Sequence, residues 1–580
     1  MIGLISATAA GAAARDRLAA AWPDRTRVYP GPAGAAAARA FAECEQLVCF
    51  LATGATVRLL APLLTDKTTD PGVVCVDEAQ QHAVSLLGGH AGGANELAHA
   101  VAGVLPGCRP VVTTATDAVG IPGLDTLGWP VEGALAAVGR ALLDGEPVAL
   151  RADAVWPLPP LGPSLSAPPA KAPAGVAPAG PAGATLAVTD RVLPPEGRTA
   201  VLRPPSLLVG VGASRGVPAD EILTLLERTL AGAGLSPRSV AGLATVEAKA
   251  GEPGLLEAAR RLGLPLTTYS ADRLAGVEVP HPSEHPLRAV GTPSVAEAAA
   301  LTAAGAGGAL VVPKQKSAPE GRPAMATCAV ARRRPRGRLA VVGLGPGARD
   351  LLTPRAREEL RRASVLVGLD QYVEQIRDLL RPGTRVLESG LGAEEERART
   401  AVAQARAGHA VALIGSGDAG VYAMASPALA EAGADIDVTG VPGVTAALAA
   451  AALLGAPLGH DHVCVSLSDL HTPWEVIERR VRAAAESDLV VTFYNPRSRG
   501  RDWQLPKALD ILAGHRAPDT PAGVVRNASR PGERVTVTTL SGLVPESVDM
   551  MTVVTVGNSA SRTVAGRMVT PRGYRWQEGL

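Results

Sequence analysis

The sequence predicts an α/β protein divided into several domains, its sheets largely parallel. Short apolar runs that end in glycine or polar turns alternate with amphipathic stretches along most of the chain, the signature of strand–helix units. The chain has 580 residues, more than one hydrophobic core usually organises. Hydrophobic residues make up 47% of it, which suits ordinary cores and excludes wholesale disorder.

Taken in order, MIGLISATAAGAAARDRL reads as a strand followed by an Ala-rich helix. It lacks the basic start of a signal peptide. QLVCFLATGATVRLL, GVVCVDEAQQHAVSLLGGHAGG and PVVTTATDAVG repeat the strand-then-turn theme. Residues 157–183 (PLPPLGPSLSAPPAKAPAGVAPAGPAG) read as an extended linker. LLVGVGAS (207–214) is a buried strand entering a glycine turn. Pro218 to Glu221 then start a helix with Leu223, Leu225, Leu226 and Leu230 at helical spacing. VAGLATVEAKAG, LTTYSADRL and GALVVPKQ continue the alternation. RRRPRGR (332–338) reads as a solvated linker before the apolar strand LAVVGLG. No apolar run is long enough to span a membrane; the nearest, around 444–458, is Ala-rich and carries Gly455 and Pro457. The expected domains are 1–130, a middle segment 131–205, 206–330, a basic linker 331–337, and 338–580.

Composition narrows the function. Fifty-six basic and 55 acidic residues leave a net charge of +1, too balanced for a general nucleic-acid binder. The six cysteines (44, 49, 75, 108, 328 and 464) include no C-x-x-C pair and match no zinc spacing. Reduced thiols of a cytoplasmic protein are expected.

The most informative region is 338–580. Gly343, Gly345 and Gly347 follow a strand, Pro346 stiffens the turn, and Thr353-Pro354 is a good N-cap and first helical position. A dinucleotide loop would read G-x-G-x-x-G and enter its helix at once; this one reads G-x-G-P-G with a longer run-in. IGSGDAGVYAMA (414–425), VTGVPGVTAALAAAALLGAPLG (438–459), LVVTFYNPRSRGR (489–501), VVRNASRPGE (524–533) and MTVVTVGNSASR (551–562) follow in order. This set resembles the tetrapyrrole (class III) methyltransferases that use S-adenosylmethionine, and within them the precorrin-3B C(17)-methyltransferases.

The resemblance implies two α/β lobes with S-adenosylmethionine in the cleft between them, in a homodimer. It implies that Gly345, Pro346 and Gly347 line the cleft and that Ser416, Gly417, Asp418 and Val421 form a cofactor-binding stretch. Thr445 and Ala446 match a P-G-x-T-A loop, Tyr494 with Asn495 closes over the methionine part, and Asn527 and Ala528 meet the adenine. A sulfonium methyl donor needs alignment and exclusion of water rather than a metal. Asp418 and the glycines also suit simple turns. Ring contraction accompanies C-17 methylation in this family and places charge on a developing carbonyl, so an acid–base partner is expected. Asp469, His471, Tyr422 and Arg497 are candidates by their proximity to the motifs. Tyr422, Arg497, Arg499 and Arg501 are candidates for binding a precorrin and its carboxylates, the arginines equally suiting a solvated loop.

Residues 1–330 resemble the cobalt-precorrin-5A hydrolases. The carriers include FLATGATVRLLAPLLTDKTTDPGVVCVDEAQQHAVSLLGGHAGGANELA (50–98), PVVTTATD, LLVGVGASRGVPADEI and GTPSVAEAAAL. That family opens a corrin lactone and expels acetaldehyde, which requires a base and donors for an oxyanion. His90, beside Asn95 and Glu96, is a candidate base or carboxylate binder. Asp117 ends a polar turn. Glu247 is a second candidate base, or a surface partner of Lys249. No H-E-x-x-H is present, so no protein-bound metal is expected and any cobalt belongs to the substrate. The resulting expectation is a bifunctional corrin-ring enzyme with precorrin substrates and neither a nucleic-acid nor a membrane partner. The alternative is a methyltransferase fused to a non-catalytic corrin-binding module.

Overall fold

The computed structural model describes all residues except 67–68, 91, 114–118, 167–182, 195, 391, 499 and 574–580. The chain forms two compact units that divide between Pro335 and Arg336, apart from short segments near 155–159 and 381–383. The Asp117 turn and most of the Pro/Ala-rich segment lie outside the described residues.

The first unit holds three sheets. The first contains β1 (Ile2–Ser6), β2 (Thr26–Val28), β3 (Gln46–Phe50), β4 (Gly72–Val76), β5 (His82–Leu87) and β6 (Arg109–Val111) in the order β2-β1-β3-β4-β5-β6. The second orders β7 (Val131–Gly133), β8 (Val148–Ala152), β9 (Leu165–Ser166), β10 (Ala184–Val188) and β11 (Thr199–Leu202) as β7-β11-β10-β8-β9. The third orders β12 (Leu207–Ala213), β13 (Val240–Val246), β14 (Leu266–Tyr269), β15 (Ala309–Lys316) and β16 (Ala326–Arg332) as β14-β13-β12-β16-β15. The leucines foreseen after Pro218 lie on the helix Ala219–Gly232, where Leu225, Leu226 and Leu230 are buried against Leu207, Val209 and Val211 of β12.

The second unit opens with an all-parallel sheet. It comprises β17 (Arg338–Gly343), β18 (Val365–Leu369), β19 (Arg385–Ser389), β20 (Ala410–Gly415) and β21 (Asp437–Val441), ordered β19-β18-β20-β17-β21. Its central strand, β20, is apolar throughout because both faces are covered: Val411 and Leu413 enter one core, Ala412 and Ile414 the other. The helix Pro354–Arg362 begins as foreseen, with the Thr353 hydroxyl accepting the Ala356 N–H at 3.1 Å. A second sheet follows from β22 (Gly455–Ala456) onward: β23 (His462–Ser466), β24 (Val490–Tyr494), β25 (Pro521–Arg526), β26 (Arg534–Thr539) and β27 (Thr552–Val556), in the order β23-β24-β27-β25-β26. β22 pairs instead with a small hairpin of β28 (Arg562–Val564) and β29 (Arg567–Val569).

Parallel pairing is less general than expected. β24, β25, β26 and β27 pair antiparallel with one another, as do β12 with β16 and β16 with β15. The turn 527–533 between β25 and β26 is too short for a crossover helix, so those strands fold back as a hairpin. The basic run is also more structured than a solvated linker. Arg332 ends β16 and pairs with Asp190 at 2.6 Å, Arg336 pairs with Asp437 at 2.8 Å, and Arg338 pairs with Glu359 at 2.6 Å.

Candidate functional site

In the second unit, β17, β20 and β21 are parallel neighbours, so their carboxyl ends meet at one sheet edge. There Gly345 and Gly417 exchange two backbone hydrogen bonds, of 3.0 and 2.8 Å. Gly345 and Gly417 adopt φ of +73° and +65°, which glycine takes without strain. A Cβ on Gly443 would lie 2.1 Å from the Gly417 carbonyl oxygen, so only glycine allows this approach. Asp418 fastens the edge: one carboxylate oxygen accepts the Gly420 N–H at 2.8 Å, the other the Gly443 N–H at 3.0 Å. Val421 closes the same turn, donating its N–H to the Asp418 carbonyl at 3.2 Å. The Asp418 side chain therefore builds the cradle, as its turn-forming reading expects.

The second sheet supplies the opposing wall. Arg530 donates from Nη2 to Ser416 Oγ at 2.7 Å and from Nε to the Pro346 carbonyl at 2.5 Å, its stem lying over Gly347. Burial pushes this guanidinium below its ordinary pKa. Ser529 Oγ accepts the Ala348 N–H at 3.3 Å. Tyr494, ending β24, bonds through its hydroxyl to Thr445 Oγ1 and accepts the Ala447 N–H at 2.9 Å. It thereby engages the start of the helix Ala446–Leu454, whose N-cap is Thr445. Tyr422 packs on Tyr494 with ring centroids 5.3 Å apart and donates to the Cys464 carbonyl at 2.8 Å. Burial raises both phenol pKa values, which keeps the hydroxyls protonated at neutral pH.

Among the described residues, seven non-glycine residues have positive φ, and Tyr422, Asn495, Asn527 and Ser529 are four of them. Strained backbone thus gathers around these strand ends, as it does at functional sites. The Asn527 N–H donates to the Met551 carbonyl at 2.9 Å, and Ala528 packs on a small core with Val525 and Met568.

The structure therefore brings Gly345, Pro346, Gly347, Ser416, Gly417, Asp418, Val421, Thr445, Ala446 and Tyr494 to one set of strand ends. Asn527 and Ala528 arrive on the Arg530 turn. Asp469 and His471 are exposed on the loop after β23, where Asp469 accepts from Gln504 Nε2 at 2.9 Å. Arg497 donates to the Pro545 carbonyl at 3.0 Å, and nearly buried Arg501 donates to the Asn495 carbonyl. These two arginines are anchored rather than freely solvated; Arg499 lies outside the described residues. Sequence reasoning missed the bridging role of Arg530 and the Trp474–Trp503 pair, whose centroids are 4.9 Å apart.

In the first unit, His90 lies in the glycine-rich loop between β5 and the helix Ala94–Val104, its carbonyl accepting the Gly93 N–H at 2.9 Å. Glu247 is exposed directly after β13, on a different sheet. Lys249 pairs with Glu252 at 3.2 Å rather than with Glu247, the alternative considered for Glu247. Among the described residues, no group of three or more His, Cys, Asp or Glu side chains is placed to hold a metal, and no helix is long and apolar enough to cross a membrane.

The glycine cradle and the two protonated phenols beside it let a ligand approach the backbone closely. Residues 338–544 match the Tetrapyrrole (Corrin/Porphyrin) Methylases, 207–331 the Cobalamin synthesis G C-terminus, and 35–117 the Cobalamin synthesis G N-terminal family. The probable cobalt-factor III C(17)-methyltransferase of Salmonella typhimurium is 46% identical over 239 residues, covering 41% of this chain and 99% of that protein. The cobalt-factor III methyltransferase of Priestia megaterium is 44% identical over 249 residues, covering 41% of this chain but only 46% of the relative's length. The solved structure of the methyltransferase CobJ shares 39% identity with a TM-score of 0.39, covering 40% of this chain and 100% of that one. The chain belongs to the tetrapyrrole methylase family and carries both cobalamin synthesis G domains on the same polypeptide.

Proposed function

We propose that this chain is a bifunctional enzyme of corrin-ring synthesis. Its second unit methylates C-17 of a 3B-level precorrin or cobalt-precorrin with ring contraction. Its first unit opens the lactone of a 5A-level cobalt-precorrin by hydrolysis and releases acetaldehyde. The observation that carries the reading is full-length similarity to a C(17)-methyltransferase over a region whose strand ends form a glycine cradle.

S-adenosylmethionine supplies a sulfonium-bound methyl group. Gly345, Pro346, Gly347, Ser416, Gly417 and Asp418 shape one side of its site. Thr445, Ala446 and Tyr494 hold the methionine end, while Asn527 and Ala528 meet the adenine through backbone groups. Arg530 bridges these elements and narrows the access of water, which favours direct transfer to a carbon nucleophile. Tyr422 and Arg497, with Arg499 beside them in sequence, bind the macrocycle and its carboxylates. Asp469 and His471, exposed nearby in the chain, exchange protons with the carbonyl that ring contraction creates.

In the first unit, His90 suits binding of a substrate carboxylate, and Glu247 stands where the strands of the third sheet end. A cytoplasmic homodimer fits the second unit. Leu448, Leu453, Val535 and Val564 are exposed, and a hollow of about 380 Å³ lined by Leu453, Val535 and Val537 lies among them.

The test is selective binding and turnover. S-adenosylmethionine at a hundred times its Kd stabilises the second unit by about 2.7 kcal/mol, whereas NAD leaves its melting temperature unchanged. Turnover of a 4-level precorrin with none at the 3B level would move the methylation to another carbon.

A further inference from the structure

We propose that His281 and Glu297 form a carboxylate–imidazole pair in which His281 is the general base for lactone opening, an assignment that rests on the hydrolytic reading above. Neither residue stands out by sequence pattern. Glu297 lies in the first turn of the helix Ala296–Ala304, and its side chain is fully buried. Oε1 meets His281 Nδ1 at 2.9 Å and accepts the Lys314 backbone N–H at 2.9 Å, while Oε2 accepts the His281 backbone N–H at 3.1 Å. Burial alone would raise the pKa of Glu297, but these hydrogen bonds together hold it below the ordinary carboxylate value.

An ionised carboxylate only accepts, so Nδ1 carries the ring proton and the lone pair belongs to Nε2. The His281 side chain is 56% exposed, leaving that nitrogen accessible to water. A structural tie for the loop would need only the two backbone donors. The ring bond adds little to such a tie, yet it fixes tautomer and orientation as a base requires.

The location supports a site. β12, β13 and β14 run parallel, so their carboxyl ends share an edge of the third sheet. β15 runs in the same direction as β12, since both are antiparallel to β16. Through β16, Lys316 is level with Gly212 near that edge. A Cβ on Gly212 would lie 3.6 Å from the Val295 side chain, placing the start of the Glu297 helix at the same end. Glu247 follows β13 there. The other charged groups around His281 are accounted for: Lys314 Nζ donates to the His281 carbonyl at 2.9 Å, and Glu284 pairs with Arg288 at 2.5 Å.

In the step itself, a water O–H gives its proton to His281 Nε2 as the water oxygen bonds to the lactone carbonyl carbon. The tetrahedral intermediate collapses with cleavage of the acyl C–O bond. The imidazolium returns its proton to the departing alkoxide. One water is consumed, a carboxylic acid and an alcohol form, and the neutral imidazole is regenerated.

The experiment uses the intact chain with a 5A-level cobalt-precorrin lactone, measuring acetaldehyde release from pH 5 to 9 for wild type, His281→Asn and Glu297→Gln. His281 is exposed, so His281→Asn is expected to retain the wild-type melting temperature. It should lose about 10²–10⁴-fold in kcat with KM little changed. Glu297 is the positioning residue. Its glutamine variant can donate to Nδ1 and so disfavours the tautomer with the lone pair on Nε2; kcat should fall by about tenfold or more with KM little changed. Should Glu297→Gln fail to fold, His281→Asn carries the test alone. A kcat loss under tenfold in His281→Asn, with the wild type active, would overturn the proposal and leave the lactone reading standing. A wild-type chain that releases no acetaldehyde would overturn the hydrolytic reading and this assignment with it.

Discussion

Replacing Gly443 by alanine puts the cradle under the most direct stress. The added Cβ would lie 2.1 Å from the Gly417 carbonyl oxygen and 2.8 Å from the Gly343 carbonyl carbon. Both are backbone atoms at strand ends, so a segment must move by about an ångström before ordinary contact is restored. Overpacking of this kind costs about 1–3 kcal/mol. The same movement weakens the 3.0 Å bond from the Gly443 N–H to Asp418, and a hydrogen bond to a charged group contributes about 1.5–3 kcal/mol. A combined loss of about 2.5–6 kcal/mol corresponds to roughly 5–24 °C in the melting of a unit this size. Gly440 supplies the control: it is exposed in β21, three residues before Gly443, and a Cβ there meets nothing within 4 Å. Calorimetry with and without S-adenosylmethionine should show Gly443→Ala melting earlier and binding at least about tenfold more weakly, a change of 1.4 kcal/mol. Gly440→Ala should match the wild type. A Gly443→Ala chain with wild-type melting and wild-type affinity would refute the reasoning.

Three further outcomes follow from the same geometry. Tyr494→Phe leaves the Ala447 N–H without its 2.9 Å acceptor; a loss of about 1–2 kcal/mol should weaken S-adenosylmethionine binding roughly 5- to 30-fold by titration calorimetry. Arg530→Ala removes the donors to Pro346 and Ser416 and should raise the KM for S-adenosylmethionine by about tenfold or more. Arg530→Lys should rescue little, because one ammonium does not reproduce the two-armed guanidinium contact. Stability in acid should depend on Glu221. Burial alone would raise its pKa, but Ser317, the Met325 N–H and Arg322 hold it below 4.5. A carboxyl depressed in the folded state contributes stability above its unfolded pKa and loses it as pH falls through the folded value. Urea midpoints of the wild type should therefore drop below pH 4.5, and Glu221→Gln should flatten that drop.

Much of the cradle was legible because its chemistry is local. Gly345, Gly347, Gly417 and Gly443 stand in short motifs, and Thr353-Pro354 announces its helix in two residues. The bridge from Arg530 to Ser416 spans 114 positions, and no local pattern encodes a pairing made only when two lobes close on each other. His281 and Glu297 are 16 positions apart, on a loop and a helix, a separation that neither helical nor strand periodicity marks. The antiparallel half of the second unit escaped for a different reason. Its strands are as apolar and β-branched as parallel ones, and only the shortness of the 527–533 turn separates the two arrangements. Asp418 was read both as a ligand residue and as a turn cap; its two bonds to Gly420 and Gly443 show the turn-building role.

The most direct test of the account is anaerobic incubation of the intact chain with S-adenosylmethionine and a 3B-level precorrin, cobalt-free in one arm and cobalt-loaded in the other, followed by mass spectrometry and absorption spectra. The account predicts one added methyl group and a ring-contracted spectrum in at least one arm. Unchanged substrate in both arms, with the protein folded and S-adenosylmethionine bound, would contradict it.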